Sequence, residues 1–147
     1  MNDEEESVNQ PRILLADANP TILDGLRRFL EFEYEVVGEV TDGQALVKAA
    51  RRLQPDLILL DFSLPLLSGL EAARQVKKML PATRLIFLTT FDDPAYATEA
   101  ARIGASVYVL TRPTEGFLSS IRKALKGREV GALNQGLDIN SERGGEP

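Results

Sequence analysis

The residue types that could do chemistry in this chain are few, because its 147 residues include no His and no Cys. Sites that depend on imidazole or thiolate groups are therefore excluded, among them His-based triads, disulfides, iron–sulfur clusters and the common zinc sites. Carboxylates, hydroxyls, lysines and arginines remain. A functional site in this chain has to be built from those four groups.

Several of these side chains directly follow short apolar runs. Asp17 and Asp61 each follow one run, Thr89 closes another, and Thr111 and Arg112 follow the last. If the runs are parallel strands of one sheet, their carboxyl ends meet at one edge, where open α/β sheets bind ligands. The predicted cluster is then a small pocket that handles a cation and an anion.

Each of these residues also has a purely structural interpretation. An Asp after a strand often caps a helix or forms a turn, which suits Asp17 taken alone. Thr89 could be there because Thr favours strands, and Ser68 and Gly69 could simply open a helix. Asp61 is different, since it directly follows the sequence LILL and no capping role is obvious for it.

Helical stretches separate the apolar runs, an alternation typical of β-α units in a parallel sheet. Asn19–Pro20 and Asp93–Pro94 are predicted helix starts, because Asn or Asp can accept from the first amides and Pro has none to leave unpaired. The first, third and fourth runs lack polar alternation and so belong in the middle of the sheet. The predicted strands are Arg12–Ala16, Tyr34–Glu39, Asp56–Leu60, Arg84–Thr89 and Ser106–Leu110.

The composition predicts one folded domain over residues 11–127, between an acidic disordered tip at 1–10 and a polar, Gly-rich disordered tail at 128–147. The start lacks the basic and apolar pattern of a signal peptide, and no apolar run is long enough to span a membrane, so we expect a cytoplasmic protein. The net charge of −5 and the dispersed basic residues argue against binding of nucleic acid or membrane by this chain itself.

Four segments of the chain resemble a known family. They read RILLADANPTILDGLRRFLE, PDLILLDFSLPLLSGLEAARQVK, LIFLTTFDDPAYATEAARIGASVYVL and EGFLSSIRKAL. They are similar to the receiver domains of bacterial two-component response regulators, most of all to the NarL/FixJ subfamily. The resemblance implies the flavodoxin-like α/β fold, a doubly wound five-stranded parallel sheet in the order 2-1-3-4-5 with helices on both faces.

The resemblance also implies a function, that of a phosphorelay switch rather than an enzyme. A sensor histidine kinase or phosphotransfer protein would donate a phosphoryl group to Asp61, with Mg²⁺ held by Asp17, Asp61 and the backbone carbonyl of Ser63. Thr89 and Tyr108 would form the switch pair. Their movement would alter the face made by helix four, strand five and helix five, where partners or a second copy of the chain dock.

Two residues depart from the family pattern. Ala18 stands where the family usually has a second acid, and Thr111 stands where it usually has a Lys. Arg112 lies one residue further on, but a one-residue step along a strand turns a side chain to the opposite face, unless the register shifts before Pro113. The alternative is therefore a pseudo-receiver, a protein-interaction module that keeps the fold and works without phosphorylation.

Two further alternatives concern activity and length. A metal-dependent phosphatase with an aspartyl nucleophile is a weaker interpretation, because its usual second acid would fall at Ser63. NarL/FixJ-type regulators usually carry a helix-turn-helix domain after the receiver, and the last twenty or so residues lack the pattern for one. We expect either a single-domain regulator or a chain from which the DNA-binding half is absent.

Overall fold

The computed structural model describes residues 10–90, 93–109 and 115–126. Residues 1–9 of the predicted disordered tip, the predicted tail, the end of the fifth predicted strand, and Thr111, Arg112 and Pro113 lie outside these residues. The strands are β1 Arg12–Ala16, β2 Glu35–Val40, β3 Leu57–Leu60, β4 Arg84–Thr89 and β5 Ser106–Val109. The helices are α1 Pro20–Leu30, α2 Gly43–Leu53, α3 Gly69–Met79, α4 Pro94–Ile103 and α5 Glu115–Lys126.

The five strands form one parallel sheet in the order β2-β1-β3-β4-β5, which confirms the predicted topology. The strands predicted to be central, β1, β3 and β4, do lie in the middle. Three predicted boundaries were wrong by one residue: β2 runs from Glu35 to Val40, and β3 begins at Leu57. Tyr34 belongs instead to the turn that closes α1, since its amide donates to the carbonyl of Leu30 at 2.9 Å.

Both Pro-containing helix starts are confirmed. The side chain of Asn19 accepts from the amide of Thr21 at 2.9 Å, and that of Asp93 accepts from the amide of Ala95 at 3.0 Å. The proline that follows each cap has no amide hydrogen to satisfy. These caps fix α1 and α4 directly after the loops that follow β1 and β4.

The sheet is covered on both faces. Leu23 of α1 and Phe117 of α5 belong to one buried cluster, whereas Leu46 of α2, Ala72 of α3 and Ala100 of α4 belong to the cluster on the other face. Buried aliphatic packing on two sides makes the strand ends fixed points from which side chains can project. In the part of the chain that the structure describes, no helix is long and apolar enough to cross a membrane.

Candidate functional site

The two aspartates predicted to do chemistry lie side by side at the carboxyl ends of adjacent strands. Ala16 of β1 pairs in register with Leu60 of β3, so Asp17 and Asp61 follow at the same level. The amide of Asp61 donates to the carbonyl of Ala16 at 3.1 Å, and the amide of Asp17 donates to the carbonyl of Val40, also at 3.1 Å. The backbones of both acids are thus extensions of the sheet.

The environment of Asp17 disfavours its negative charge. Burial raises the pKa of the Asp17 carboxyl, and the neighbouring charge of Asp61 raises this pKa further. A hydrogen bond of 2.8 Å from the amide of Asn19 to the carboxylate acts in the opposite direction and lowers this pKa. A cation placed between the two carboxylates would relieve the repulsion that remains.

Asp61 is half-buried, and its carboxylate stays available. Within residues 10–90, 93–109 and 115–126, no donor makes a hydrogen bond to this carboxylate. The backbone around it is tightly fixed, since a Cβ at Gly69 would lie 2.1 Å from the carbonyl oxygen of Asp61. Only glycine allows α3 to begin this close to the acid.

Ser68 and Gly69 do open a helix, as their structural interpretation predicted. The hydroxyl of Ser68 accepts from the amide of Glu71 at 3.1 Å. The second role of Gly69, its close approach to Asp61, was missed by the sequence analysis. No local pattern shows such a contact, because the two residues meet only through the path of the loop between them.

The loop after Asp61 is clamped against the start of α2. The carbonyl of Pro65 accepts from the amides of Gly43 at 3.0 Å and of Leu67 at 2.7 Å. Leu66, between the two ends of this γ-turn, has a φ of +69° and is 73% exposed. Ser63, the predicted carbonyl ligand, lies exposed in the same loop. The clamp therefore fixes the segment that would present that carbonyl.

The predicted switch residues lie on the two neighbouring strands. Phe87 of β4 pairs with Leu60, so Thr89 reaches the same edge of the sheet as the two aspartates and is half-buried there. Tyr108 on β5 is half-buried, with its ring centroid 5.3 Å from that of Phe117 on α5. The structure thus brings the aspartates and Thr89 to one edge and places Tyr108 beside α5.

Three stacked rings connect the residue after Asp61 to α4. The ring of Phe62 lies between those of Phe87 and Tyr96, with centroid distances of 4.1 Å and 4.3 Å and interplanar angles of 5° and 18°. The sequence analysis identified Tyr96 only as part of a helical stripe and missed this stack. The three aromatic residues are far apart in sequence, so no local sequence pattern shows that their rings stack.

The departures from the family pattern also have a place in the structure. Ala18 is exposed directly after Asp17. Among the described residues there is no group of three or more His, Cys, Asp or Glu side chains that could hold a metal ion. Thr111 and Arg112 lie outside those residues, so the expectation that Arg112 faces away from the site stays a prediction.

Comparison with known proteins agrees with this geometry. The family model described as the response regulator receiver domain matches residues 13–119, which is most of the folded unit. The chain belongs to the response regulator receiver domain family. Its structural neighbours include a NarL receiver domain, in agreement with the predicted likeness to NarL, and a LuxR-family response regulator.

Two curated relatives illustrate what this receiver domain is similar to. It is 37% identical over 123 residues to the uncharacterized transcriptional regulatory protein YxjL of Bacillus subtilis, covering 81% of this chain and 56% of that protein. It is 33% identical over 128 residues to the transcriptional regulatory protein DegU of Brevibacillus brevis, covering 85% and 54%. The chain thus spans about half the length of these relatives.

A solved structure supports the same conclusion. The signal receiver domain of the putative response regulator NarL from Mycobacterium tuberculosis is 30% identical to this chain, with a TM-score of 0.73. The match covers 81% of this chain and 98% of that domain. The receiver fold is therefore shared over nearly the whole of the solved domain.

Proposed function

We propose that this receiver domain accepts a phosphoryl group on Asp61 from a sensor histidine kinase or a phosphotransfer protein. The observation that carries the proposal is the position of Asp61: at the end of a central strand, half-exposed, and next to Asp17. A carboxylate held in that place can reach a donor that approaches the edge of the sheet, while its backbone stays fixed by Gly69 and the β1 ladder.

The transfer requires little covalent help from the protein. A carboxylate oxygen of Asp61 attacks phosphorus, the P–N bond of the phosphohistidine donor breaks, and the bonding electron pair leaves with the imidazole, which takes up a proton. The product is an acyl phosphate on Asp61. Since the charge of the moving phosphoryl group is spread over its oxygens, the site has to supply charge neutralisation and in-line positioning.

The residues at this edge fit a magnesium ion. Asp17, Asp61 and the carbonyl of Ser63 would hold it, and such hard oxygen donors, with water completing the shell, are what Mg²⁺ prefers. Burial, and then repulsion from Asp61, raise the pKa of Asp17, so a cation beside the pair would stabilise its ionised form. When bound, Mg²⁺ supplies the positive charge that neutralises the phosphoryl oxygens.

The output of the switch would be the face formed by α4, β5 and α5. Among the described residues of α4 only Ala100 is buried, with Tyr96 and Ile103 partly so, whereas α2 buries five residues. A lightly anchored helix is the element that a local event can move most easily. The ring stack runs from Phe62, the residue after Asp61, to Tyr96 on α4, and Tyr108 lies on β5. A partner protein or a second copy would dock on this face.

A second candidate function, a pseudo-receiver that acts without phosphorylation, is favoured by one observation. With Ala18 after Asp17, the described part of the site offers two carboxylates and no third acid to a metal. Loss of one charge contact at about 4 Å is worth on the order of 4 kcal/mol at an effective dielectric of 20, before desolvation is considered. The interaction face would then be used in one permanent state.

Labelling by a small phosphodonor separates the two candidates. With acetyl phosphate and Mg²⁺, the intact mass of the chain should rise by one phosphoryl group, and Asp61→Asn should abolish the rise while Ser63→Ala, which keeps the backbone carbonyl, should retain it. A folded chain that gains no mass at high donor concentration would refute phosphorylation and support the pseudo-receiver. Steady release of phosphate from a small ester would instead support a phosphatase.

The two departures can be tested in the same assay. If the missing charges limit the site, Ala18→Asp combined with Thr111→Lys should raise the rate or the extent of labelling. We place the chain in the cytoplasm, as a regulator that itself binds neither nucleic acid nor membrane. Control of transcription is a proposal for the protein as a whole, since the relatives that carry that name are about twice as long as the match.

A further inference from the structure

Helix α2 is basic, although the chain as a whole is acidic. The net charge of the chain is −5, yet α2 carries Lys48, Arg51 and Arg52 and no acidic side chain. Spacings of three and four residues place these three side chains on one face of the helix, and all three are exposed. They form the α2 basic face, a local concentration of positive charge that the overall composition hides.

The α2 basic face has no carboxylate bound to it in the described part of the chain. Within residues 10–90, 93–109 and 115–126, no acid makes an ion pair with Lys48, Arg51 or Arg52. The other arginines of these residues each donate to a carboxylate or to a backbone carbonyl: Arg12, Arg27, Arg28, Arg74, Arg84, Arg102 and Arg122. Arg51 and Arg52 are therefore exceptions in this fold.

The helix dipole accounts for only part of this arrangement. Basic side chains in the last turn of a helix interact favourably with its carboxyl end, and Arg51 and Arg52 occupy that turn of α2. Arg27 and Arg28 occupy the same turn of α1, and both also bind Asp24, at 2.8 Å and 3.1 Å. A place near the helix end thus does not replace a carboxylate, and the third cation of α2 lies before its last turn.

The chain enters the fold beside the α2 basic face. The guanidinium of Arg12, the first residue of β1, donates to the carbonyl of Leu53 at 2.6 Å and to that of Gln54 at 3.2 Å, so β1 begins at the carboxyl end of α2. Glu6 precedes Arg12 by six residues, which can span up to about 20 Å. Lys48 lies only about 7.5 Å along the helix axis from Leu53. Acidic residues before β1 are therefore within reach of the whole face.

We propose that the acidic segment at residues 3–6 binds the α2 basic face of the same chain and shields it from polyanions. The segment consists of four consecutive acids, Asp3, Glu4, Glu5 and Glu6, opposite three cations. Because few residues join the two, their effective concentration is in the millimolar range, where ion pairs too weak to hold separate molecules together are populated. An uncovered face would attract nucleic-acid phosphates, since three cations release counterions from them.

Binding of a polyanion measures the shielding. The probe is a fluorescent single-stranded 20-nucleotide DNA, titrated with the whole 147-residue chain at about 50 mM salt. A tip-neutralised variant carries Asp3→Asn, Glu4→Gln, Glu5→Gln and Glu6→Gln, and we expect it to bind the DNA at least about tenfold more tightly than the unmodified chain. The matched control removes the same four charges near the other end of the chain, by Glu129→Gln, Asp138→Asn, Glu142→Gln and Glu146→Gln. The control should change the affinity by less than about threefold.

Substitution of the face identifies where the DNA binds. Arg51→Gln with Arg52→Gln, added to the tip-neutralised variant, should remove the gain in affinity. Gln is a good helix former and both sites are exposed, so the fold should be kept. Lys123→Gln with Lys126→Gln, on exposed sites of α5, is the matched control and should keep the gain. The same gain in both charge-neutralised variants would overturn the proposal, because net charge alone would then explain it. No gain in either would overturn it as well.

A spin label tests the contact itself. The chain has no Cys, so Asn2→Cys introduces a single thiol that can carry a nitroxide. The label should broaden the amide signals of Lys48, Arg51 and Arg52 more than those of Lys123 and Lys126. Because the tether alone brings the label near α2, the part that depends on charge decides the question. Neutralising residues 3–6 should reduce the broadening at least about twofold, and so should 1 M salt, where the Debye length is about 3 Å. Broadening that neither change reduces would refute the contact.

Discussion

The two edges of the sheet use their polar residues in opposite ways. At the amino edge, where the strands begin, polar side chains bind the backbone. The guanidinium of Arg12 donates to the carbonyls of Leu53 at 2.6 Å and Gln54 at 3.2 Å, and the hydroxyl of Thr83 donates to the carbonyl of Pro55 at 3.0 Å. These bonds satisfy carbonyls at the loop before β3 and lock it to its neighbours.

At the carboxyl edge the polar side chains are held for another use. Asp17 and Asp61 are half-buried next to each other, and burial together with the charge of Asp61 raises the pKa of Asp17. The backbone there is held by the helix caps of Asn19, Ser68 and Asp93 and by the close contacts at Gly69 and Gly43. One edge thus stabilises the fold, whereas the other accepts a local cost that a ligand can relieve, as expected of a functional site.

Substitution of Gly69 should have the largest effect on stability. In Gly69→Ala the added methyl would lie 2.1 Å from the carbonyl oxygen of Asp61, so either α3 or the Asp61 backbone has to shift. We expect a loss of about 3 kcal/mol in the free energy of unfolding, measured by urea denaturation. Labelling of Asp61 should fall as well.

Gly25→Ala is the control for that change, since both are glycines within α-helices. Nothing lies within 4 Å of a Cβ at Gly25, so alanine there should raise stability by about 0.5–1 kcal/mol. If Gly69→Ala were as stable as the unmodified chain, the backbone around Asp61 would be able to shift at little cost. That result would contradict the rigid carboxyl edge described above.

Substitution of Thr83 should have the next largest effect, confined to stability. Thr83 is 5% exposed, and Thr83→Val removes its hydroxyl and leaves the carbonyl of Pro55 without that donor. The expected loss is about 1–2 kcal/mol in the free energy of unfolding. Phosphoryl labelling of Asp61 should not change, because Thr83 lies at the opposite edge. A labelling defect in the folded variant would mean that the two edges are coupled.

Substitution of Asp17 should have the smallest effect on stability, with the opposite sign. Burial raises the pKa of Asp17 above its ordinary value of 3.8, so its protonated form favours folding at low pH, and that contribution is lost as the pH rises through the folded-state pKa. At neutral pH the ionised group opposes folding. Asp17→Asn should then gain on the order of 0.5 kcal/mol at neutral pH, a small figure because solvent screens a half-exposed carboxylate.

The gain should shrink as the pH falls through the raised pKa of Asp17, where the carboxyl of the unmodified chain takes up its proton. Urea unfolding of both proteins across that range is the measurement. Mg²⁺ should stabilise the unmodified chain more than Asp17→Asn. If Asp17→Asn were instead less stable at neutral pH, the carboxylate would be a structural group like those of the amino edge.

Much of the fold could be predicted because its signals are local. The uninterrupted apolar runs of β1, β3 and β4 required cover on both faces, and the two Asx–Pro pairs marked helix starts. The boundaries of β2 and β3 were each missed by one residue, since at the end of a run other hydrogen bonds compete with the strand. For β2 the competitor is the turn in which the amide of Tyr34 donates to the carbonyl of Leu30.

The sequence by itself determined which chemistry is open to this protein, through the absence of His and Cys and the placing of acids and a hydroxyl after apolar runs. The tertiary structure alone decided how close α3 comes to Asp61, which rings stack between Phe62 and α4, and that Gly25 faces open space. Residue types and the spacing of apolar residues can be read directly from the sequence, because they involve only residues close together along the chain. Contacts between separate elements depend on how the sheet brings them together, and no local pattern encodes that.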